Sequence, residues 1–368
     1  MRRLTVLVAT LLVVSLAAPA TVAPAAADEH EYDGEHVAFD VESDGIAEYS
    51  VNNETLFSSV DVQAASEADV RVGADLETSA FAGLEGAALR STSTTTAAAR
   101  FESENGARVA AHDTERGHLT VHATEERTLV EINMSDPVGT TPKGTVIVVG
   151  GATQVGSVFV VGEGSVTVND EGNIVADLPK GSGLVFRSNG QNRDDEDQAT
   201  ERLIERGTAA GEAYVSERDG EVVADTVEYD TDIDVEVAQY QQGFLELSVQ
   251  RTTENGTIVV MEITEDLIED PGDADVRVSG EQATRVDSHA ELRQSLGNGE
   301  HTYTVSQATT SQANAAILVA IDSFSEQTVI VEERHGSTEV EESAPGFGVS
   351  VALLAILTAM LAARRYAQ

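Results

Sequence analysis

The chain has 368 residues, 41% of them hydrophobic, with 64 acids against 22 bases and a formal net charge of −42. That charge repels nucleic acid and anionic head groups, which makes both poor partners. The chain has no cysteine, which excludes disulfides, thiolate metal sites, cysteine nucleophiles and a thioether lipid anchor.

Residues 1–27 read as a signal peptide. Arg2 and Arg3 open it, an apolar run spans Leu4 to Ala18, and Ala25 and Ala27 form an A-x-A cleavage motif, so the mature chain starts at Asp28. The alternative is an uncleaved membrane anchor, and the arginine pair leaves the export route, general or twin-arginine, open. A free Asp28-Glu29-His30 end resembles the amino-terminal copper and nickel motif, in which the His30 imidazole joins the amine and two amides in a square-planar site. An incidental histidine is the plainer reading, and no cofactor is expected.

Most of the interior alternates apolar and polar residues, the period of half-buried strands. In "DTDIDVEV", Thr231, Ile233, Val235 and Val237 share one face and four acids the other. "TLVEINM", "GTVIVVGG", "SVFVVGEGSVTV", "GLVFRS", "ADVRVSG", "HTYTVSQ", "AAILVAID" and "QTVIVEER" add strands. "GFLELSVQRTTENGTIVVMEI" reads as a hairpin turning at Asn255-Gly256. Helix signals are few. Ser288 with Glu291 makes a capping box before "AELRQSL", and "DQATERLIERG" follows an acidic run that suits a helix start. Residues 83–100 stay ambiguous.

"GHLTVHATEERTLVEINMSD" from Gly117 lines up with "GFLELSVQRTTENGTIVVMEITED" from Gly243, and "GGATQVGS" (150–157) with "GEQATRVDS" (280–288). Either the chain is duplicated or strands of one biased composition look alike. The expected fold is mainly β: two tandem β-sandwich-like domains with few short helices. Domain one spans 28–190, an acidic linker or helix 191–211, domain two 212–336 and a short polar stalk 337–344. Two globules at a modest interface are expected.

Catalytic motifs are missing: no G-x-S-x-G elbow, Walker lysine, H-E-x-x-H or complete G-x-G-x-x-G. "GGATQVGS" lacks the lysine and reads as a strand-ending turn. His118 and His122 fall on one strand face about 7 Å apart. Without a third ligand, two surface imidazoles are the plainer reading. Asp230, Asp232 and Asp234 imitate a calcium loop, but Val235 replaces its glycine and Gln241 its closing glutamate. The tyrosines look scattered, and no carboxylate pair can be singled out among 64 acids. Asn53, Asn133 and Asn255 begin sequons and are candidate glycan acceptors.

From Phe347 to Ala363 runs a stretch without charge, long enough to span a bilayer, followed by Arg364 and Arg365. The arginines place that end in the cytoplasm and residues 28–344 outside. Pro345-Gly346-Phe347, the apolar helix and the terminal arginines together resemble the PGF-CTERM sorting signal of archaeal surface proteins. The resemblance implies that an archaeosortase-type membrane protease removes the helix and that the protein is tethered through a membrane lipid anchor. A plain transmembrane helix over 345–368 is the alternative. The long threonine-rich stalk common in that family is replaced by "HGSTEVEESA". Scarce lysine (Lys143 and Lys180), few aromatics and interleaved acids resemble proteins of halophilic archaea. The reading is an exported surface glycoprotein, not an enzyme, with a structural or interaction role beside S-layer or other envelope proteins. A surface-anchored ligand-binding protein or hydrolase with a carboxylate site is the alternative, and a pocket between the domains would discriminate them.

Overall fold

In the computed structural model the described residues are 30–334, without 43–44, 68–83, 85, 87–88, 105, 219–220, 265, 308–314 and 323–325. Ala25, Ala27, Asp28, the stalk, Pro345, Gly346, Phe347, Arg364 and Arg365 lie outside the described residues, so the two terminal readings rest on sequence. Among the described residues, no helix is long and apolar enough to cross a membrane.

The chain is mainly β. It runs β1 (His30–Asp33), β2 (Val37–Val41), β3 (Gly45–Val51), β4 (Glu54–Ala64), β5 (Leu89–Thr94), β6 (Ala98–Ser103), β7 (Arg108–His112) and β8 (His118–His122). Next come β9 (Thr128–Met134), β10 (Gly139–Lys143), β11 (Val146–Gly150), β12 (Val155–Val161), β13 (Ser165–Val168), β14 (Ile174–Leu178) and β15 (Gly183–Ser188). Helix α1 (Asp195–Glu205) leads to β16 (Ala209–Arg218), β17 (Glu221–Glu228), β18 (Ile233–Gln241), β19 (Phe244–Arg251) and β20 (Thr257–Ile263). The chain continues through β21 (Ala274–Val278), β22 (Glu281–Gln282), β23 (Thr284–Arg285), α2 (His289–Ser295), β24 (Thr302–Gln307), β25 (Ala315–Ile321) and β26 (Glu326–Glu333).

These strands form four sheets: A (β1-β2-β3-β4-β9-β14-β13), B (β10-β11-β12-β15-β8-β7-β6-β5), C (β17-β16-β20-β25-β24-β23) and D (β18-β19-β26-β21-β22). Alternation pairs them. Val130 and Ile132 of A meet Leu119, Val121 and Phe186 of B in one core. Val259 and Met261 of C meet Leu245, Leu247 and Val331 of D in another. The layers are two face-to-face sandwiches, A on B and C on D.

Both sandwiches contain the same seven-strand order. In the first, β7-β8-β15-β12 faces β9-β14-β13; in the second, β18-β19-β26-β21 faces β20-β25-β24. Each of these pairings is antiparallel. The strands "HLTVH" and "FLELSV" are therefore equivalent, with Leu119 and Leu245 both turned inward. "TLVEINM" (β9) and "TIVVMEI" (β20), matched in the same alignment, are equivalent as well, but the matches further along the chain are not. In this order β21 corresponds to β12, whereas "VIVVGG" is β11, the inner strand of an added hairpin. The turn at Thr153 belongs to sheet B, while Thr284 lies in β23 of sheet C. The leading hairpins also differ: β4 runs antiparallel to β9, but β16 runs parallel to β20.

The hairpin expected at Asn255-Gly256 is a crossover between sheets, with β19 in D and β20 in C. Gly256 lacks the positive φ of a type I′ turn. Its role is close packing, since a Cβ there would lie 2.8 Å from the Ile321 and Asp322 carbonyl oxygens. The tight hairpin is instead at Asn52 and Asn53, with φ of 50° and 65°, between β3 and β4.

The interface between the sandwiches is not modest. The outer faces of B and C bury Phe159, Val161 and Val185 against Ile258, Val260 and Leu318, with Leu203 and Ile204 of α1 in the same cluster. The strands involved are apolar on both faces, as β20 and β25, buried at every position, show. Helix α1 starts as expected, with a capping box between Asp194 and Asp197. It packs on β12 and β16, so the linker candidate is part of the interface.

Candidate functional site between the sandwiches

A buried ionic cluster lies where B meets C. Arg187 of β15 points out of sheet B, and its Nη2 donates to Glu212 Oε1 of β16 at 3.1 Å and to Glu262 Oε1 of β20 at 3.2 Å. Its Nε lies 3.2 Å from His118 Nε2. Arg116, in the loop before β8, bonds Glu262 through Nε and Asp197 Oδ1 through Nη1 at 3.0 Å. Asp197 thus caps α1 and ties the helix to the first sandwich. Tyr229 donates to Glu212, and the Tyr214 hydroxyl lies 3.0 Å from His118 Nε2. Asn189 links Arg116 to Glu201, which also accepts from Arg193 at 2.8 Å.

The electrostatics follow from burial and pairing. Burial pushes the Glu212 carboxyl up, but the Arg187 and Arg116 guanidiniums outweigh it and hold it below the ordinary range. For Glu262 burial wins: with the charge of Glu212 it raises the carboxyl against the pull of Arg116 and Arg187. Burial pushes the His118 imidazole well down, so it is neutral at neutral pH. Burial likewise lowers His122 to about 4; its Nε2 lies 3.0 Å from the Glu228 carbonyl. Gly183 makes room for that ring, since a Cβ would sit 2.8 Å from His122 Nδ1.

At the rim, Asp113 accepts from the amides of Glu35, His36 and Val37 at 2.8–2.9 Å and from Arg218 Nη1 at 2.7 Å. Asp225 holds His112 Nδ1 at 2.6 Å and Arg100 at 3.0 Å. A cavity of about 30 Å³ between these groups is lined by Asp113, Tyr214, Arg218, Asp225 and Glu262. That is room for about two waters.

Two carboxyls held apart, a neutral histidine and two tyrosines are the ingredients of acid–base chemistry. Here they are sealed: the side chains of Arg187, His118 and Glu212 are at most 1% exposed. The arrangement can lock two sandwiches into one body.

Of the expected site residues that are described, His118 belongs to this cluster, whereas His30, Asn53, Asn133 and Asn255 are not among its bonded groups. His118 and His122 are interface groups, not surface imidazoles, and Tyr214 and Tyr229 converge instead of scattering. Among the described residues, no group of three His, Asp or Glu could hold a metal. Asp230 and Asp232 clamp Arg251 at 2.9–3.1 Å. His30 opens β1 opposite Val41, remote in sequence from the cluster. The "GGATQ" turn wraps the Glu54 carboxylate, which accepts from the amides of Thr153 and Gln154 at 2.7 and 2.8 Å. Asn53 and Asn255 are exposed. Asn133 is half-buried: it donates to Ser59 at 2.8 Å and Asp61 at 3.0 Å, and accepts from Asn173 at 2.6 Å.

The family model for the PGF-CTERM motif matches residues 344–366. The chain carries a PGF-CTERM sorting signal. That signal marks an exported, membrane-anchored cell-surface protein handled by an archaeosortase. The match leaves the ectodomain outside it, and no curated protein matches the chain.

Proposed function

We propose that this is an envelope protein of a halophilic archaeon, cleaved after Ala27, processed at Pro345-Gly346-Phe347 and held to the outer membrane face by a lipid. Its ectodomain acts as one rigid body in a structural or interaction role beside S-layer or other envelope proteins. The sorting-signal match at 344–366 carries the reading. The sealed interface supports the mechanical part, because a buried charge cluster and a continuous apolar contact resist hinge motion. The common seven-strand order supports a tandem duplication.

A second reading, a surface hydrolase or ligand-binding protein, is favoured by the opposed shifts of Glu212 and Glu262. The cavity beside them, with room for about two waters, counts against it.

The test is processing in an archaeosortase-competent host. Pro345→Ala with Phe347→Ala should leave the C-terminal helix attached, whereas the native chain loses it. Retention of "VALLAILTAMLAAR" in the native protein would reject the processing.

A further inference from the structure

A groove of about 750 Å³ runs between α1 and the β10–β11 turn, lined by Lys143, Thr145, Val148, Gln198, Arg202 and Arg206 among others. Residues 28–347 hold 18 bases, 22 less the four terminal arginines. Four of them (Lys143, Arg193, Arg202, Arg206) line this groove, with Glu205 as its one acid. Arg193 is committed to Glu201. Lys143, Arg202 and Arg206 are exposed, and among the described residues no carboxylate bridges them. The C-terminal end of α1 favours Arg202 and Arg206 on its own. It does not place Lys143, from another element, across from them.

We infer that this groove binds an extended acidic polypeptide segment with carboxylates at alternate residues. Gln198, Arg202 and Arg206 recur every four residues, a rise of about 6 Å per step along α1. Alternate residues of an extended strand stand about 6.6 Å apart on one face. Carboxylates at positions i and i+2 therefore match Arg202 and Arg206, while small apolar residues between them meet the half-buried Val148 and Val155. The stripe, about 12 Å long, takes about four residues. The groove lining has no aromatic platform for a sugar ring. This deepens the interaction reading by naming the partner's chemistry, and its test does not depend on processing of the C-terminus.

The probe is a short labelled peptide of alternating glutamate and valine, titrated by fluorescence anisotropy into the detergent-extracted full chain at the lowest salt that keeps it folded. Saturable binding is expected, weakened about tenfold or more in the Lys143→Glu, Arg202→Glu, Arg206→Glu variant. The melting temperature of that variant checks its fold, and Arg202→Glu alone serves if the triple variant does not fold. Lack of saturable binding, or equal binding by the variant, overturns the site. Tighter binding of polygalacturonate than of the peptide overturns the polypeptide assignment.

Discussion

Arg187 Nη2 lies 3.1 Å from Glu212 Oε1 across the boundary between the sandwiches, with both side chains withdrawn from water. Removing one partner strands the other charge in a medium that cannot solvate it, at a cost of about 3–5 kcal/mol. Arg187→Ala should lower the unfolding free energy by that amount in chemical denaturation. Arg187→Met combined with Glu212→Gln should recover part of it, because neither charge is then left buried alone. The native chain should unfold in one transition, since the cluster joins both sandwiches.

Stability should fall as the interface histidines are forced to charge. His122 titrates at about 4 in the folded chain against 6.5 unfolded, and His118 is also lowered. Between those values the unfolded chain binds more protons, so stability present above pH 6.5 is lost as the pH drops toward 4. The melting temperature measured across that window should decline, and His122→Asn should flatten the decline. A level profile in the native protein would contradict the neutral state of these rings.

Glycans should be found on Asn53 and Asn255 and not on Asn133. The first two are exposed, Asn53 in a tight turn and Asn255 in the crossover between sheets, whereas the Asn133 amide uses both hydrogens on Ser59 and Asp61. Glycopeptide mass spectrometry of the native protein reads all three positions.

Melting should rise steeply from dilute buffer to molar salt. The segment 28–347 holds 64 acids against 18 bases, a net of −46, and its self-repulsion is screened over about 3 Å at 1 M salt. A melting temperature independent of salt would remove the halophile reading.

Much of the fold was legible because single strands carry their own pattern. "TLVEINM" and "GLVFRS" are β9 and β15 at the expected limits, and Ser288 caps α2. What failed was pairing. Asn255-Gly256 looks like a hairpin turn, yet whether two strands join one sheet or cross to another depends on distant partners. The ionic cluster was invisible for the same reason: Tyr214 meets His118 from 96 residues away. One usable signal was overlooked. "TIVVMEI" and "AAILVAI" are apolar at nearly every position, which calls for a sheet covered on both faces. Two such strands in the second half already point to a third layer packed against it.

Release from the C-terminal helix and attachment to lipid can be read together from the intact mass of the native protein extracted from membranes. The expected chain begins at Asp28, lacks the apolar helix and Arg364-Arg365, and carries a lipid increment with glycan increments beside it. A mass that includes the apolar segment and Arg364-Arg365, with no lipid increment, would contradict it.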